Sequence, residues 1–345
     1  MLLVDVANYA GVSQATVSAV LNNQLGKNIR VSEQTRKRVL NAARTLSYTP
    51  NLVARSLAGR RNNSIAIFTY EPIFPYEQRN FLFPFLVGIE QETERAGYDL
   101  LLTTSTGGED GNRSIYRNGV NRLKLADGAI VMGLRRNEEE LTNLIQEDFP
   151  VVFLGHREFP SVTTSYVAAD YITATARITE YILSRGHTHI NYVGTKGQNE
   201  PSNERKLGYT QTMQKAGHES NCYFVTLDSP EEIDATVLMS ALKSGATAFI
   251  TEDYIICNRI VHAAKDLGLQ IPESFSIAVL GGPSEPGLPK YDWTSFLIPD
   301  LEMGRTAVSI LLKILASSEK ESHRIVLDCS IHYGSTVAEP PSSIK

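Results

Sequence analysis

Apolar residues follow two regimes along the chain. In the first sixty residues they recur at helical spacing in short bursts: Val6, Ala7 and Ala10; Val17, Val20 and Leu21; Val39, Leu40, Ala43 and Leu46. These are the stripes of three short amphipathic helices. Gly11 separates the first two and tolerates the positive φ that a sharp turn needs. Val12 can plug the corner. Ser13 and Ser32 stand where N-caps belong, their hydroxyls accepting from orphan N–H groups of the next turn, and Glu33 suits the positive helix end. From Ser64 onward short apolar runs alternate with longer helical patterns. Strands are expected at 64–70, 98–104, 127–133, 150–155, 190–194, 222–227, 247–251 and 275–281. Helices are expected at 81–96, from the end of the second strand to about Leu123, before residue 150, and at 170–184, 203–216, 230–243 and 253–267. Such alternation predicts parallel sheets covered by helices on both faces. Two doubly wound subdomains are expected, divided near 160, with return crossings near 290–298 and 320–330.

Between the two regimes lies a short helical stretch. Pro50 fits a first helical turn, Gly59 ends it, and Leu52, Val53 and Leu57 share it with Arg55. Two turns do not persist alone in water, so this helix should fold against something. An apolar side chain such as Leu57 can wedge a minor-groove base step. The implied organisation is a helical head at 1–49, a hinge at 50–62 and a body at 63–340.

Charge sharpens this division. Residues 1–62 hold nine Lys/Arg against two acids, a balance of +7. The rest holds 24 basic and 36 acidic residues, a balance of −12, so the overall −5 hides a basic head on an acidic body. A polyanion would meet the head alone. Cys222, Cys257 and Cys329 are far apart, without a CxxC pair, which fits reduced thiols rather than a disulfide framework or a zinc site. The N-terminus lacks the pattern of a secretory signal. No run of about 18 apolar residues marks a membrane span. A cytoplasmic protein is expected.

The second helix turns Gln14, Ala15, Ser18, Ala19 and Asn22 outward, a small, uncharged face beside basic neighbours. Such a face suits a major-groove reader, although an ordinary helical hairpin would also satisfy this stretch taken alone. The longer run decides. DVANYAGVSQATVSAVLN, followed by VSEQTRKRVLNAARTLSYTPNLVARSLAGRR, resembles the DNA-binding head and hinge helix of the lactose-repressor (LacI/GalR) family. AGYDLLL, ADGAIVMG, FPVVFLG, SRGHTHINYVG and RKLGY resemble its periplasmic-binding-protein-like core, so the likeness spans nearly the whole chain.

The resemblance implies a helix starting near Gln14 in the major groove. It implies phosphate contacts from Ser13, Thr16, Ser32, Tyr48 and Asn51, and hinge contacts from Ala54 and Leu57. Two departures stand out: Ala19 where the family commonly has a guanine-reading arginine, and Leu2 where it has a threonine cap. With Ala19, a bidentate contact worth about 1–3 kcal/mol is absent. In the core, the resemblance implies a small molecule between the subdomains, with Tyr70, Phe81, Asp170, Arg205, Glu252 and Gly281 as candidate contacts. Glu252-Asp253 and Gly281-Gly282 replace the family's frequent Asn-Asp and Asp-Asp, which puts a simple sugar effector in doubt. The loop at 71–83 carries Phe74, Tyr76, Phe81 and Phe83, which can face a cleft or pack in a core or dimer contact.

No GxGxxG, Walker A, GxSxG or HExxH pattern is present, and no nucleophile, base and orienter assemble. His187-x-His189 reads as a structural turn rather than a metal pair. Neither enzyme activity, cofactor nor metal is expected. The sequence thus points to an all-α helix-turn-helix head on an α/β periplasmic-binding-protein-like core of two doubly wound subdomains. Its expected function is that of a regulator, a repressor in sign, binding a pseudo-palindromic operator in double-stranded DNA as a homodimer. A sugar or related metabolite would control it. A non-sugar effector, a protein corepressor, or a solute-binding protein of the same fold are the alternatives.

Overall fold

The computed structural model describes residues 2–21, 31–48, 62–74, 81–104, 112–159, 162–197, 199–281, 291–317 and 321–341. The chain forms two compact units, Met1–Asn62 and Asn63–Lys345.

The first unit holds α1 (Leu3–Ala10), α2 (Gln14–Leu21) and α3 (Glu33–Thr45). Gly11 adopts φ +64°. Its N–H donates to Asn8 O at 3.3 Å, and the Val12 N–H donates to Ala7 O at 3.0 Å. This 6→1, 5→2 pair is the Schellman stop, which satisfies carbonyls the helix end would otherwise orphan. Ser13 Oγ then accepts from the Thr16 N–H at 3.1 Å, and Ser32 Oγ from the Thr35 N–H at 3.2 Å. Leu2 provides no side-chain cap to α1, but Asp5 accepts from the Leu2 N–H at 2.7 Å. Val6, Ala7, Ala10, Val17, Val20, Val39, Ala42 and Ala43 close the core. Leu40, expected in that stripe, is 38% exposed. Ala42 takes an inward position instead, beside the expected Val39 and Ala43.

The second unit contains two six-stranded sheets. The first has the order β13-β7-β6-β5-β1-β2, all parallel. Its strands are β1 (Ser64–Phe68), β2 (Asp99–Thr103), β5 (Gly128–Val131), β6 (Val151–Leu154), β7 (Tyr166–Ala169) and β13 (Arg324–Leu327). The second has the order β14-β12-β11-β10-β8-β9, with only β14 antiparallel. It comprises β8 (Ile190–Thr195), β9 (Cys222–Leu227), β10 (Ala248–Thr251), β11 (Ser276–Leu280), β12 (Thr294–Leu297) and β14 (Ser330–His332). Central strands such as β5, β6, β10 and β11 are buried throughout, as strands covered on both faces must be.

Helices α4 (Phe83–Arg95), α5 (Glu138–Gln146) and α10 (Asp300–Ala316) belong with the first sheet. Helices α6 (Tyr171–Ser184), α7 (Glu200–Lys215), α8 (Ala235–Lys243) and α9 (Tyr254–Asp266) belong with the second. The chain therefore passes between halves three times: at Asp170, at 298–299 and at 328–329. The first passage lies ten residues beyond the division expected near 160, because Tyr166–Ala169 still pairs with β6 and β13.

Two close helix approaches set the packing. A Cβ on Gly88 of α4 would collide with the Leu301 carbonyl, and one on Gly304 of α10 with the Phe85 carbonyl. A Cβ on Gly208 of α7 would strike the Ile172 carbonyl of α6. One expected helix is not found: residues 112–125 instead form a hairpin of β3 (Tyr116–Arg117) and β4 (Val120–Asn121), then a 3-10 turn at Arg122–Leu125. Asn118 and Gly119, at φ +51° and +74°, make the two-residue turn with positive φ at both positions that favours hairpins.

Candidate functional site

In the head, the N-terminal turn of α2 is the open surface. Ser13, Gln14 and Ala15 are exposed, while Thr16 and Ser18 are half-buried. The Ser13 hydroxyl lies 2.9 Å from Thr16 Oγ1. Ser32 is exposed at the start of α3, and Tyr48 packs partly against the head core. Ala19 departs from expectation: it is only 4% exposed, so its methyl is covered in this conformation rather than turned outward. Asn22, Asn51, Ala54 and Leu57 lie outside the described residues.

In the body, the carboxyl ends of β5 and β6 face the starts of α6 and α7 across a cleft. Phe81, Leu82, Phe85, Met132, Leu134, Leu154 and Met303 line it from the first half. Tyr171 and Pro201 line it from the second, with Arg157 at its edge. The space left for water is about 40 Å³, room for a water or two. The halves are therefore closed on each other, and a ligand of sugar size enters only when they part.

Arg205 of α7 stands beside Tyr171, one of the residues that line this space. Its guanidinium carbon sits 4.5 Å from the Tyr171 ring centroid and 5.8 Å from that of Phe296. Its Nε is buried without a hydrogen-bond partner. Among the described residues no carboxylate lies within 4.0 Å of it. Two aromatic faces stabilise the cation in part and leave its planar edge free. Gly281, at φ +95°, stands beside it: a Cβ there would lie 3.7 Å from Arg205 Nη2. The RKLGY stretch thereby becomes intelligible. Arg205 stacks on the cleft residue Tyr171, Gly208 lets α7 approach α6, and the Tyr209 hydroxyl donates to Ile190 O at 2.6 Å, tying α7 to β8.

The other candidates divide. Phe81 lines the cavity and meets Phe85 edge-on at 6.1 Å. Asp170 caps α6, accepting from the Thr173 N–H at 2.9 Å. Glu252 is buried and accepts from the Thr195 N–H at 3.1 Å. Asp253 caps α9 through the Ile256 N–H at 2.9 Å; burial, then the neighbouring Glu252, push its carboxyl above the usual range, against the opposing pull of Arg205. Tyr70 does not belong to the cleft. Its hydroxyl donates to Glu140 Oε2 at 3.0 Å and its ring meets Phe68 edge-on at 4.8 Å. Ile65 and Ile67 face the central core, while Ala66 and Phe68 face the opposite side with Tyr70. Strand alternation, continued past β1, thus carries Tyr70 away from the cavity.

A seam of charge across the cleft was not expected. Arg157, 4% exposed, donates to Gly133 O at 2.6 Å, His156 O at 2.9 Å and Glu200 Oε2 at 3.0 Å. Burial depresses its pKa, opposed by Glu200. Arg136 pairs with Glu200 and, at 3.0 Å, with Glu138. His156 Nδ1 lies 2.6 Å from Glu204 Oε1. Burial raises the Glu204 pKa, and His156 partly offsets that. Arg136, His156 and Arg157 follow strands of the first sheet, whereas Glu200 and Glu204 stand on α7 of the second half. The Glu200/Glu204 spacing on one helix face was the only sequence trace of the seam. His187 bridges Thr247 Oγ1 and Ala338 O, both at 2.9 Å, and His189 stacks on Tyr223, so the two rings have separate partners. No helix among the described residues is long and apolar enough to cross a membrane.

Comparison with known proteins agrees with this architecture. Residues 2–51 match the family described as bacterial regulatory proteins, lacI family, and residues 179–337 match a periplasmic binding protein-like domain. The HTH-type transcriptional regulator RegA of Clostridium saccharobutylicum is 27% identical over 328 residues, covering 94% of this chain and 95% of that protein. The fold is shared with the lac repressor dimer bound to operator and the anti-inducer ONPF (TM-score 0.75, 19% identity, 98% and 99% coverage). It is also shared with the CelR–cellobiose complex, a transcriptional regulator (TM-score 0.65, 21% identity, 97% and 99% coverage). The helix-turn-helix head, the two-sheet core and the likeness to RegA agree: the chain joins a head of the lacI family of bacterial regulatory proteins to a periplasmic binding protein-like core, and it is a transcriptional regulator rather than an enzyme.

Proposed function

We propose that this regulator binds a pseudo-palindromic operator as a homodimer, acts as a repressor, and is controlled by a small molecule in the cleft between the two halves of its core. The observation that carries the reading is the N-terminal turn of α2. Ser13, Gln14 and Ala15 stand exposed there, and α2 carries no acidic side chain to repel phosphates. A solute-binding role would leave the head's +7 balance unused. Two-fold symmetry in the protein calls for two-fold symmetry in the site. The exposed Leu102 on edge strand β2, and Tyr223 and Phe224 on edge strand β9, supply apolar surface for a partner subunit. Effector binding would alter the angle between halves about the three passages at 170, 298–299 and 328–329. That change would reach the DNA through the hinge at 50–62.

Selection of duplexes from a randomised pool by the full-length protein tests the reading. Inverted half-sites should be enriched, with one dimer per duplex by sedimentation. Gln14→Ala should relax base preference inside each half-site. A pool that stays random, or a profile unaltered by Gln14→Ala, refutes this role for α2. Cellobiose in the CelR complex makes a sugar the first effector class to try. The unengaged Arg205 and the apolar cleft wall favour a second class.

A further inference from the structure

We infer that the cleft takes a small organic acid with an apolar body, its carboxylate held by Arg205, rather than a neutral sugar. The inference rests on the cleft being the effector site.

Among the described residues, the acidic side chains around the cleft already have work. Glu71 accepts from the Leu134 and Arg135 N–H groups at 3.1 and 2.7 Å. Glu200 holds Arg157 and Arg136, and Glu204 holds His156. Glu252, Asp253 and Asp170 accept from backbone N–H groups. The unengaged charge is the cation: Arg205 has a buried, unpartnered Nε, and Gly281 puts no side chain over Nη2. A guanidinium edge matches a carboxylate in a bidentate fork, and desolvated it favours an anion over a neutral hydroxyl. The side chains of Phe81, Phe85, Met132, Leu154 and Met303, which line the cavity with Tyr171, offer no hydrogen bonds. A sugar pressed there would lose water from hydroxyls that find no replacement partner. An aromatic or branched aliphatic body loses nothing and gains burial.

Calorimetry on the full-length protein decides, using benzoate, phenylacetate, 3-phenylpropionate and hexanoate, the primary amide of each, and glucose, ribose and cellobiose. At least one acid should bind, its amide at least tenfold more weakly, and Arg205→Gln should abolish the difference while keeping the parent's Trp293 fluorescence. Three results overturn the inference: equal affinity for acid and amide, silence of every acid, or sugar binding alone. Sugar binding that Arg205→Gln removes leaves the cleft reading standing. Acid binding that is indifferent both to Arg205→Gln and to Leu154→Trp, which fills the cavity, removes the inference and the cleft reading together.

Discussion

Glu200→Gln removes the carboxylate that Arg157 and Arg136 share across the cleft. At 3.0 Å the attraction between Arg157 and Glu200 is about 5–6 kcal/mol in an effective dielectric of ~20. Dehydration of both groups offsets most of that, which is why intact buried pairs contribute little net stability. The variant keeps the dehydration of Arg157 and loses its compensation. Breaking a fully buried pair costs about 3–5 kcal/mol. Here the loss is smaller, for two reasons. The Glu200 side chain is 22% exposed, and Arg157 retains the carbonyls of Gly133 and His156. A loss of about 2 kcal/mol follows, in the range of a charge-assisted hydrogen bond. Arg136 adds little, because Glu138 remains beside it.

That loss falls on the closed arrangement, since the partners belong to different halves. It shifts closed toward open by about thirtyfold. Trp293, the chain's one tryptophan, is buried in the core of the second half and reports urea unfolding there. Small-angle scattering reports opening. Arg157→Met removes the buried cation together with its dehydration and should cost less than Glu200→Gln. On the Arg157→Met background, Glu200→Gln should cost under about 0.5 kcal/mol. Equal losses in the two backgrounds would refute the coupling.

Leu2→Thr supplies the hydroxyl that α1 lacks and completes the reciprocal cap with Asp5; the head should gain about 1 kcal/mol, read from its thermal transition by circular dichroism. Gly208→Ala drives a methyl into the Ile172 carbonyl. Helix propensity returns up to about 1 kcal/mol against about 1–3 for overpacking, so a net loss of about 1 kcal/mol is expected at the urea midpoint. Asp253 has a raised pKa in the folded protein, chiefly from burial. Its contribution is therefore most favourable below the unfolded carboxylate pKa and is lost as pH rises through the folded value. Asp253→Asn keeps the cap and should gain on the parent as pH rises through that window; a constant difference from pH 4 to 7 would contradict it.

Most elements were legible because their periods are clean. Strand runs such as 127–133 and 275–281, and stripes such as Val6, Ala7 and Ala10, bury the residues their spacing names. The hairpin at 116–121 escaped because each strand is two residues long, too short for alternation to register. Its Asn118-Gly119 turn was the available signal. Tyr70 was a candidate only through the family resemblance; counting from Ile65 puts it with Phe68, facing α5. Ala19 shows the limit of a helical wheel on an eight-residue helix, where one covered position reverses the assignment. Arg205 stood out only through its motif's resemblance to a family. That no carboxylate of the described residues pairs with it is a tertiary fact. The charged seam was illegible because nothing local says which strand ends face one another across a cleft.

Helix α7 joins these observations. Glu200 and Glu204 stand one turn apart near its N-terminus, and Arg205 is the next residue. Gly208 and Tyr209 fix the same helix to α6 and β8. A helix held at both a close approach and a buried hydrogen bond moves as one piece. A ligand that draws on Arg205 therefore acts on the body that carries Glu200 and Glu204, hence on the pairs with Arg136, Arg157 and His156 that close the cleft. Ligand binding and opening are one equilibrium read at two places on α7, so Glu200→Gln should strengthen the binding of a ligand that needs the halves parted while Arg205 itself stays intact. The strengthening cannot exceed the thirtyfold shift toward the open form, because a ligand gains from a conformational change only what the change itself is worth.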